Sequence, residues 1–360
     1  MRERSPLRSR QSRHLRSLAG SVEPTPVIAC LPGDGIGPEV LEQAVRVLEH
    51  LPLDVEIVRL PFGGAAIDAT GEPLPAETLE ACRASRAVLL GAVGGPRWDG
   101  GSVLPEQGLL GLRKALDVYA NLRPATQGDV DLVIVRELVG GLYFGARGVR
   151  DDGTVFDTCE YHPAQVERIV RRGFELARGR RRSLVSVDKA NVLDTSRMWR
   201  RVVDEIAPEY PDVTLRHALV DSFAMEIVSS PEKIDVVVTE NMFGDILSDI
   251  AAAVTGGLGL AASASLGDDG PGIFEPVHGS APDLAGTGAA NPAAMLRSLA
   301  LLLEHALQRP ELAAALVDAV EAALVSHPTP DLGGSSTTGS FGDAVLASLA
   351  KEEAWTTVLS

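Results

Sequence analysis

Asp245 and Asp249 lie four residues apart in Thr-Glu-Asn-Met-Phe-Gly-Asp-Ile-Leu-Ser-Asp at 239–249, a spacing that sets both carboxylates on one helix face. Two like charges there cost an isolated helix a few tenths of a kcal/mol, roughly. An oxygen-loving divalent cation reverses that sign, because Mg²⁺ or Mn²⁺ is held by one or two carboxylates plus substrate oxygens. The plainer reading is a solvated acidic helix start, which the helix dipole also favours. The β-branched run Ile234 to Val238 just before the pair reads as a strand, and ligands of α/β folds gather at strand ends, which favours the metal.

Arginines supply the opposite charge. Arg113 shares a helix face with Leu109 and Leu110, Arg123 follows in Asn-Leu-Arg-Pro, and Arg136 ends the strand 131–135. Guanidinium forks grip carboxylates with two parallel hydrogen bonds, so a shared pocket would take a diacid; three separate surface ion pairs are the alternative. If the two leucines face that pocket, the diacid carries an aliphatic branch; otherwise they are core. Tyr143, in the Gly-rich turn 140–145, suits a proton donor or a packed ring with a hydroxyl tip. Lys189 stands at a strand end in a chain with 29 Arg and four Lys, either as a desolvated base or as a structural ion-pair partner.

The elements that must carry these groups alternate in an α/β pattern. Strands are expected at 27–31, 54–60, 87–93, 131–135, 184–187, 214–220 and 234–238. Helices are expected at about 38–50, 75–85, 106–117, 163–180, 292–306, 310–326 and from about 341, with a turn at 239–244 before a helix from 245. Asp221 is expected at another strand end. Ile250 to Gly267 reads as a buried helix and then a Gly/Ser-rich loop, and 267–270 as an acidic loop. The segment Pro-Gly-Asp-Gly-Ile-Gly-Pro-Glu at 32–39 does not match the dinucleotide fingerprint, and supports a tight strand-to-helix turn and little more. Residues 1–24, with six Arg and two acids, read as a disordered Arg/Ser-rich extension; an organelle transit peptide and an over-extended start remain open.

At 360 residues the chain suits two domains. A net charge of −16 argues against nucleic acid, and 4% aromatic content argues against a base-stacking surface. Cys30, Cys82 and Cys159 have no disulfide or metal spacing, which suits reduced thiols and a cytoplasmic protein, and no segment reads as transmembrane.

Together these segments resemble the isocitrate/isopropylmalate dehydrogenase family of β-decarboxylating dehydrogenases over about 27–350. The resemblance rests on 32–39, the stretch Gly94 through Pro124, Val-Arg-Glu-Leu at 135–138 with Tyr-Phe-Gly at 143–145, and Ser-Val-Asp-Lys-Ala-Asn-Val-Leu at 186–193. It rests also on 239–249, His278 to Gly286, and Asp-Leu-Gly-Gly at 331–334. It implies a two-domain, non-Rossmann α/β fold: a discontinuous NAD-binding domain at 25–118 and 256–360, and a dimerisation and metal/substrate domain at 119–255. It implies oxidative decarboxylation of 3-isopropylmalate with NAD and Mg²⁺ or Mn²⁺ in a homodimer whose active sites are shared. Paralogues acting on another 3-substituted malate, on D-malate or on tartrate are the alternatives.

The resemblance also carries roles to single residues. Arg113, Arg123 and Arg136 would hold the carboxylates, with Glu106, Leu109 and Leu110 shaping the pocket. Asp245 and Asp249, with Asp221 of the partner, would hold the metal, Asp221 also touching substrate. Lys189 of the partner would be the base and Tyr143 the acid. His278, Gly279, Ser280, Ala281, Pro282, Asp283 and Asn291 would surround the adenosine, Asp283 selecting NAD over NADP by repelling a 2′-phosphate. Leu104, Ala261-Ala262 and Thr338-Gly339-Ser340 depart from the family pattern, none at a catalytic position.

Overall fold

The computed structural model describes residues 25–351, and the expected N-terminal extension lies outside them. Twelve strands and eleven α-helices alternate along the described chain. The first part runs β1 (Val27–Gly33), α1 (Gly37–His50), β2 (Glu56–Arg59), α2 (Gly63–Thr70), α3 (Ala76–Ala84), β3 (Ala87–Ala92) and α4 (Pro105–Ala115). There follow β4 (Ala120–Gln127), β5 (Val130–Glu137), β6 (Arg147–Val149), β7 (Val155–Asp157), α5 (Pro163–Arg178), β8 (Ser183–Asp188), α6 (Asp194–Ile206) and β9 (Thr214–Leu219). The remainder is α7 (Val220–Ser229), β10 (Val236–Thr239), α8 (Asn241–Val254), β11 (Ala262–Leu266), β12 (Gly272–Pro276), α9 (Ala293–His305), α10 (Pro310–Ser326) and α11 (Thr338–Leu349).

Ten strands form one sheet in the order β2-β1-β3-β12-β11-β4-β5-β10-β8-β9, and β6 and β7 pair separately as a hairpin. Strands β2, β1, β3 and β12 run parallel, as do β5, β10, β8 and β9. Between the two parallel blocks, β12-β11-β4-β5 is antiparallel throughout. The buried runs Ala87–Ala92 and Val236–Thr239 explain why the parallel blocks were visible as continuous apolar strands: helices cover both faces. The central strands are different. β11 is Ala-Ser-Ala-Ser-Leu, wholly buried, so the stretch expected as a loop is a strand of small residues. Its Ser263 and Ser265 hydroxyls accept from the Asn121 side chain of β4 at 2.7 and 3.0 Å, which satisfies buried polar atoms without bulk.

Helix α8 begins at Asn241, four residues before the expected start. The Glu240 carboxylate accepts from the Met242 and Phe243 backbone N–H groups, capping orphan donors of the first turn. Asp221 lies in the first turn of α7 rather than at a strand end, and α2, α6 and α7 are helices where none was expected. The basic helix expected at 163–180 is α5, which turns Val166, Ile169, Val170 and Phe174 into the core. On its basic face Arg171 and Arg178 pair with Glu209 and Asp212. All three cysteines are free thiols. No helix among the described residues is long and apolar enough to cross a membrane.

Candidate active site

Strands β4 and β5 align Arg123 beside Ile134 and Asn121 beside Arg136, while α8 packs across them. Arg136 is 1% exposed, among the most buried charges of the chain. Its Nε and Nη2 donate to the Asn241 Oδ1 at 3.0 and 2.8 Å, and its Nη1 to Asp245. Gly244 makes that approach feasible: a Cβ there would stand 2.6 Å from Arg136 Cγ. Arg123 donates to the Ser248 hydroxyl at 2.6 Å and to the Asn121 Oδ1 at 2.9 Å, and lies 3.2 Å from Asp245 and 3.7 Å from Asp249. Arg113, on α4, donates to Glu275 at 2.7 Å, and its own Nε is buried with no partner among the described residues. Arg113 lies close enough to act on the charges of both Arg123 and Arg136, and Glu275 on that of Arg123, so the three arginines form one cluster rather than three surface ion pairs.

Burial and mutual repulsion set the electrostatics. Burial, reinforced by Arg123, pushes the Arg136 guanidinium down to about 10, and burial also lowers Arg123. Burial works against the Asp245 charge, but Arg136, Arg123 and the Tyr143 hydroxyl outweigh it and hold that carboxyl below its ordinary value. Asp249 is raised by burial and by Asp245. Tyr143 donates to Asp245 Oδ2 at 2.8 Å, with the Arg136 guanidinium 5.6 Å from its ring centre. Burial and that hydrogen bond raise the Tyr143 phenol, so it keeps its proton at neutral pH.

Asp245 and Asp249 offer two adjacent carboxylates, the donor chemistry a hard divalent cation takes together with substrate oxygens. Three arginines here face Asp245, Asp249 and Glu275, so a divalent cation and a dianionic substrate enter without net charge, and the residues fit such a pair. No group of three His, Cys, Asp or Glu able to hold a metal occurs among the described residues. Asp221 is elsewhere: it accepts from Lys189 Nζ at 2.6 Å, which lowers its pKa. Among the described residues, no hydrogen bond or ion pair joins Lys189 or Asp221 to the arginine pocket within the chain.

On α4, Glu106, Leu109, Leu110 and Arg113 lie along one face, with Glu106 exposed. Leu109 leans on the apolar cluster of Leu90, Leu112 and Leu116, whereas Leu110 lies outside that cluster. The loop after β12 carries His278 to Asp283. Burial lowers the His278 pKa, and its Nε2 is buried with no partner among the described residues. Ala281 holds a left-handed φ of 39° and Asp283 is exposed, while Asn291 Nδ2 donates to Asp331 at 3.1 Å. Gly279 has open space where a Cβ would project, and Pro282 is exposed. The Gly-rich segment 32–37 packs on this loop: Ile36 N–H donates to the Ser280 carbonyl at 2.8 Å, and a Cβ on Gly35 (φ 57°) would meet that oxygen at 2.0 Å. Its turn serves close packing.

The family profile described as isocitrate/isopropylmalate dehydrogenase matches residues 27–345. The chain belongs to that family. A 3-isopropylmalate dehydrogenase of Bacillus cereus is 49% identical over 347 residues, covering 90% of this chain and 97% of that one. The enzyme of the same name from Halalkalibacterium halodurans is 49% identical over 352 residues, covering 89% and 97%. Among solved structures, isocitrate dehydrogenase from Methylococcus capsulatus superposes with a TM-score of 0.85 at 38% identity, covering 91% of this chain and all of that one. A β-decarboxylating dehydrogenase from Thermococcus kodakarensis gives 0.78 at 38% identity, covering 91% and 96%. The names of these relatives and the folds of the solved structures agree with the family expected from the sequence motifs. Asn121, Glu240, Asn241 and Glu275 were not anticipated as site residues; only their polarity beside apolar strands marked them.

Proposed function

We propose that this chain oxidatively decarboxylates 3-isopropylmalate to 4-methyl-2-oxopentanoate with NAD, a step of leucine biosynthesis. The observation that carries this reading is the convergence of Arg113, Arg123 and Arg136 on one pocket, with Leu110 on the same helix face as Arg113 and outside the core. Relatives named for that activity, at 49% identity across 97% of their length, support it. Arg113, Arg123 and Arg136 grip the two carboxylates, and Glu106, Leu109 and Leu110 shape the wall against the isopropyl branch. A carboxylate-bearing branch finds no partner at Leu110.

Asp245 and Asp249, with Asp221 of a second copy of this chain, would hold Mg²⁺ or Mn²⁺; the loop 278–283 and Asn291 would hold NAD, and exposed Asp283 would repel a 2′-phosphate. When bound, the metal supplies a Lewis acid for the C2 oxygen and NAD supplies the hydride acceptor. Lys189 of the second copy takes the C2 hydroxyl proton as the hydride leaves. The β-carboxylate then departs as CO₂, its bonding electrons passing into the enolate, and Tyr143 donates its phenolic proton to the carbon. The homodimer rests on Met225 and Val228, which continue the Asp221 stripe along α7, and on Ile246 of α8, apolar side chains exposed beside the carboxylates. The division at 25–118 with 256–360 against 119–255 is supported by the two parallel blocks of the sheet, one on either side of it. Free thiols suit a cytoplasmic setting.

The test is NADH absorbance with NAD and Mg²⁺, comparing 3-isopropylmalate, D-malate and isocitrate, with an EDTA control. Preference for 3-isopropylmalate by about tenfold or more, abolished by EDTA and restored by Mg²⁺, is the expected outcome. Equal use of D-malate would remove the role given to the leucine wall.

A further inference from the structure

The geometry points to Asn241 as a positioning residue that fixes the carboxylate clamp, Arg136, and the proton donor, Tyr143, in one frame. The inference rests on the roles proposed above for those two residues.

Asn241 is 0% exposed, and its side-chain amide is fully used. Its Oδ1 accepts both Arg136 Nε, at 3.0 Å, and Nη2, at 2.8 Å. Its Nδ2 donates to the carbonyls of Leu138, at 3.2 Å, and Gly140, at 2.9 Å. A primary amide has two acceptor sites and two donors, so no capacity is left over. The Arg136 fork is thereby oriented with Nη1 directed at Asp245. The other pair of bonds anchors the turn through Gly141 (φ 70°), which delivers the Tyr143 hydroxyl to the other oxygen of the same carboxylate. The Asn241 backbone N–H donates to the Tyr161 hydroxyl at 3.0 Å, which fixes the residue on its helix as well. Four bonds from one buried amide thus connect β5, the Tyr143 turn and α8, the helix that carries Asp245 and Asp249. No other uncharged residue type presents both an oxygen to a guanidinium and two N–H donors to adjacent carbonyls from so short a stem.

The two halves of the amide separate by substitution. In Asn241→Asp the oxygen facing Arg136 remains, while the N–H donors are replaced by an oxygen that repels the Leu138 and Gly140 carbonyls. Carboxylate binding is then retained and proton delivery slowed. The expected result is a 3-isopropylmalate KM within about threefold of the parent and a kcat lower by about tenfold or more. Stopped-flow traces should show a burst of NADH in the first turnover ahead of a slow steady state, because the proton returns to carbon after the hydride has left. Asn241→Ser adds no charge and lacks the amide N–H pair, so it keeps the test open if the aspartate variant does not fold. It should lower kcat and raise KM together. An unchanged kcat without a burst, or a raised KM with unchanged kcat in Asn241→Asp, would overturn the positioning role. Failure of both variants to fold would overturn it too, marking Asn241 as structural. An inactive parent chain would instead sink the proposed reaction itself.

Discussion

Glu137 follows Arg136 on β5 and is 0% exposed, yet no ion pair reaches it among the described residues; its carboxylate accepts from the Val139 and Gly140 N–H groups at 3.2 and 2.8 Å. Burial pushes its pKa up from 4.5 to about 7, with those backbone donors opposing. Between these two values the folded chain binds more protons than the unfolded chain. Its contribution is therefore full below pH 4.5 and is lost as pH rises through about 7. Glu137→Gln removes the titration. In urea unfolding at pH 5 and pH 8, the fall in stability should be smaller in this variant by about 2 kcal/mol; an identical fall would show that Glu137 is ionised without cost. Asn241 was not legible as a site residue, because what it does depends on groups brought close by folding, and the raised pKa of Glu137 was not legible because burial sets it. Asn241 and its guanidinium partner are 105 positions apart. Arg136 and the paired aspartates stood out because reactive types followed apolar strands, Arg113 because it shared a helix face with two leucines, and Tyr143 because it sat in a Gly-rich turn.

At the scale of elements, α8 and the strands beside it decide whether the pocket exists. Gly244 sits in the first turns of α8 with Arg136 where its Cβ would go, the contacts falling at 2.6 and 2.8 Å. Alanine gains up to about 1 kcal/mol of helix propensity, while overpacking a filled site costs about 1–3 kcal/mol. The clash wins. Gly244→Ala should lower the melting temperature and raise the substrate KM by about tenfold, as the guanidinium is pushed off its partners; a stable variant with the parent KM would contradict the close approach. The parallel strands were readable from their β-branched runs. Strand β11 was not, because Ala and Ser carry weak strand propensity, and its small side chains answer to tight central packing and to Asn121. The early start of α8 was obscured by Asn241 and Gly244, polar and small for reasons of the site rather than of a turn.

Across the whole molecule, the proposed shared site divides its groups between two places in the described chain. One is the arginine pocket with Tyr143, Asp245 and Asp249; the other is the Lys189–Asp221 pair at the start of α7. Met225 and Val228 continue the Asp221 face of α7 at 72% and 64% exposure, and Ile246 adds 52% beside Asp245 on α8. Apolar side chains so exposed next to site carboxylates suit a surface covered by a second copy, whose symmetry would bring each half against the other. Mixing two inactive variants tests this most directly. Lys189→Ala and Tyr143→Ala chains are unfolded, combined in equal amounts, refolded together and assayed for NADH formation with 3-isopropylmalate. A shared site predicts recovery to about a quarter of parental activity, since half of the randomly formed dimers are hybrids with one whole site. A mixture of re-formed dimers as inactive as its components would contradict it, and would place Lys189 and Tyr143 in the same site of a single chain.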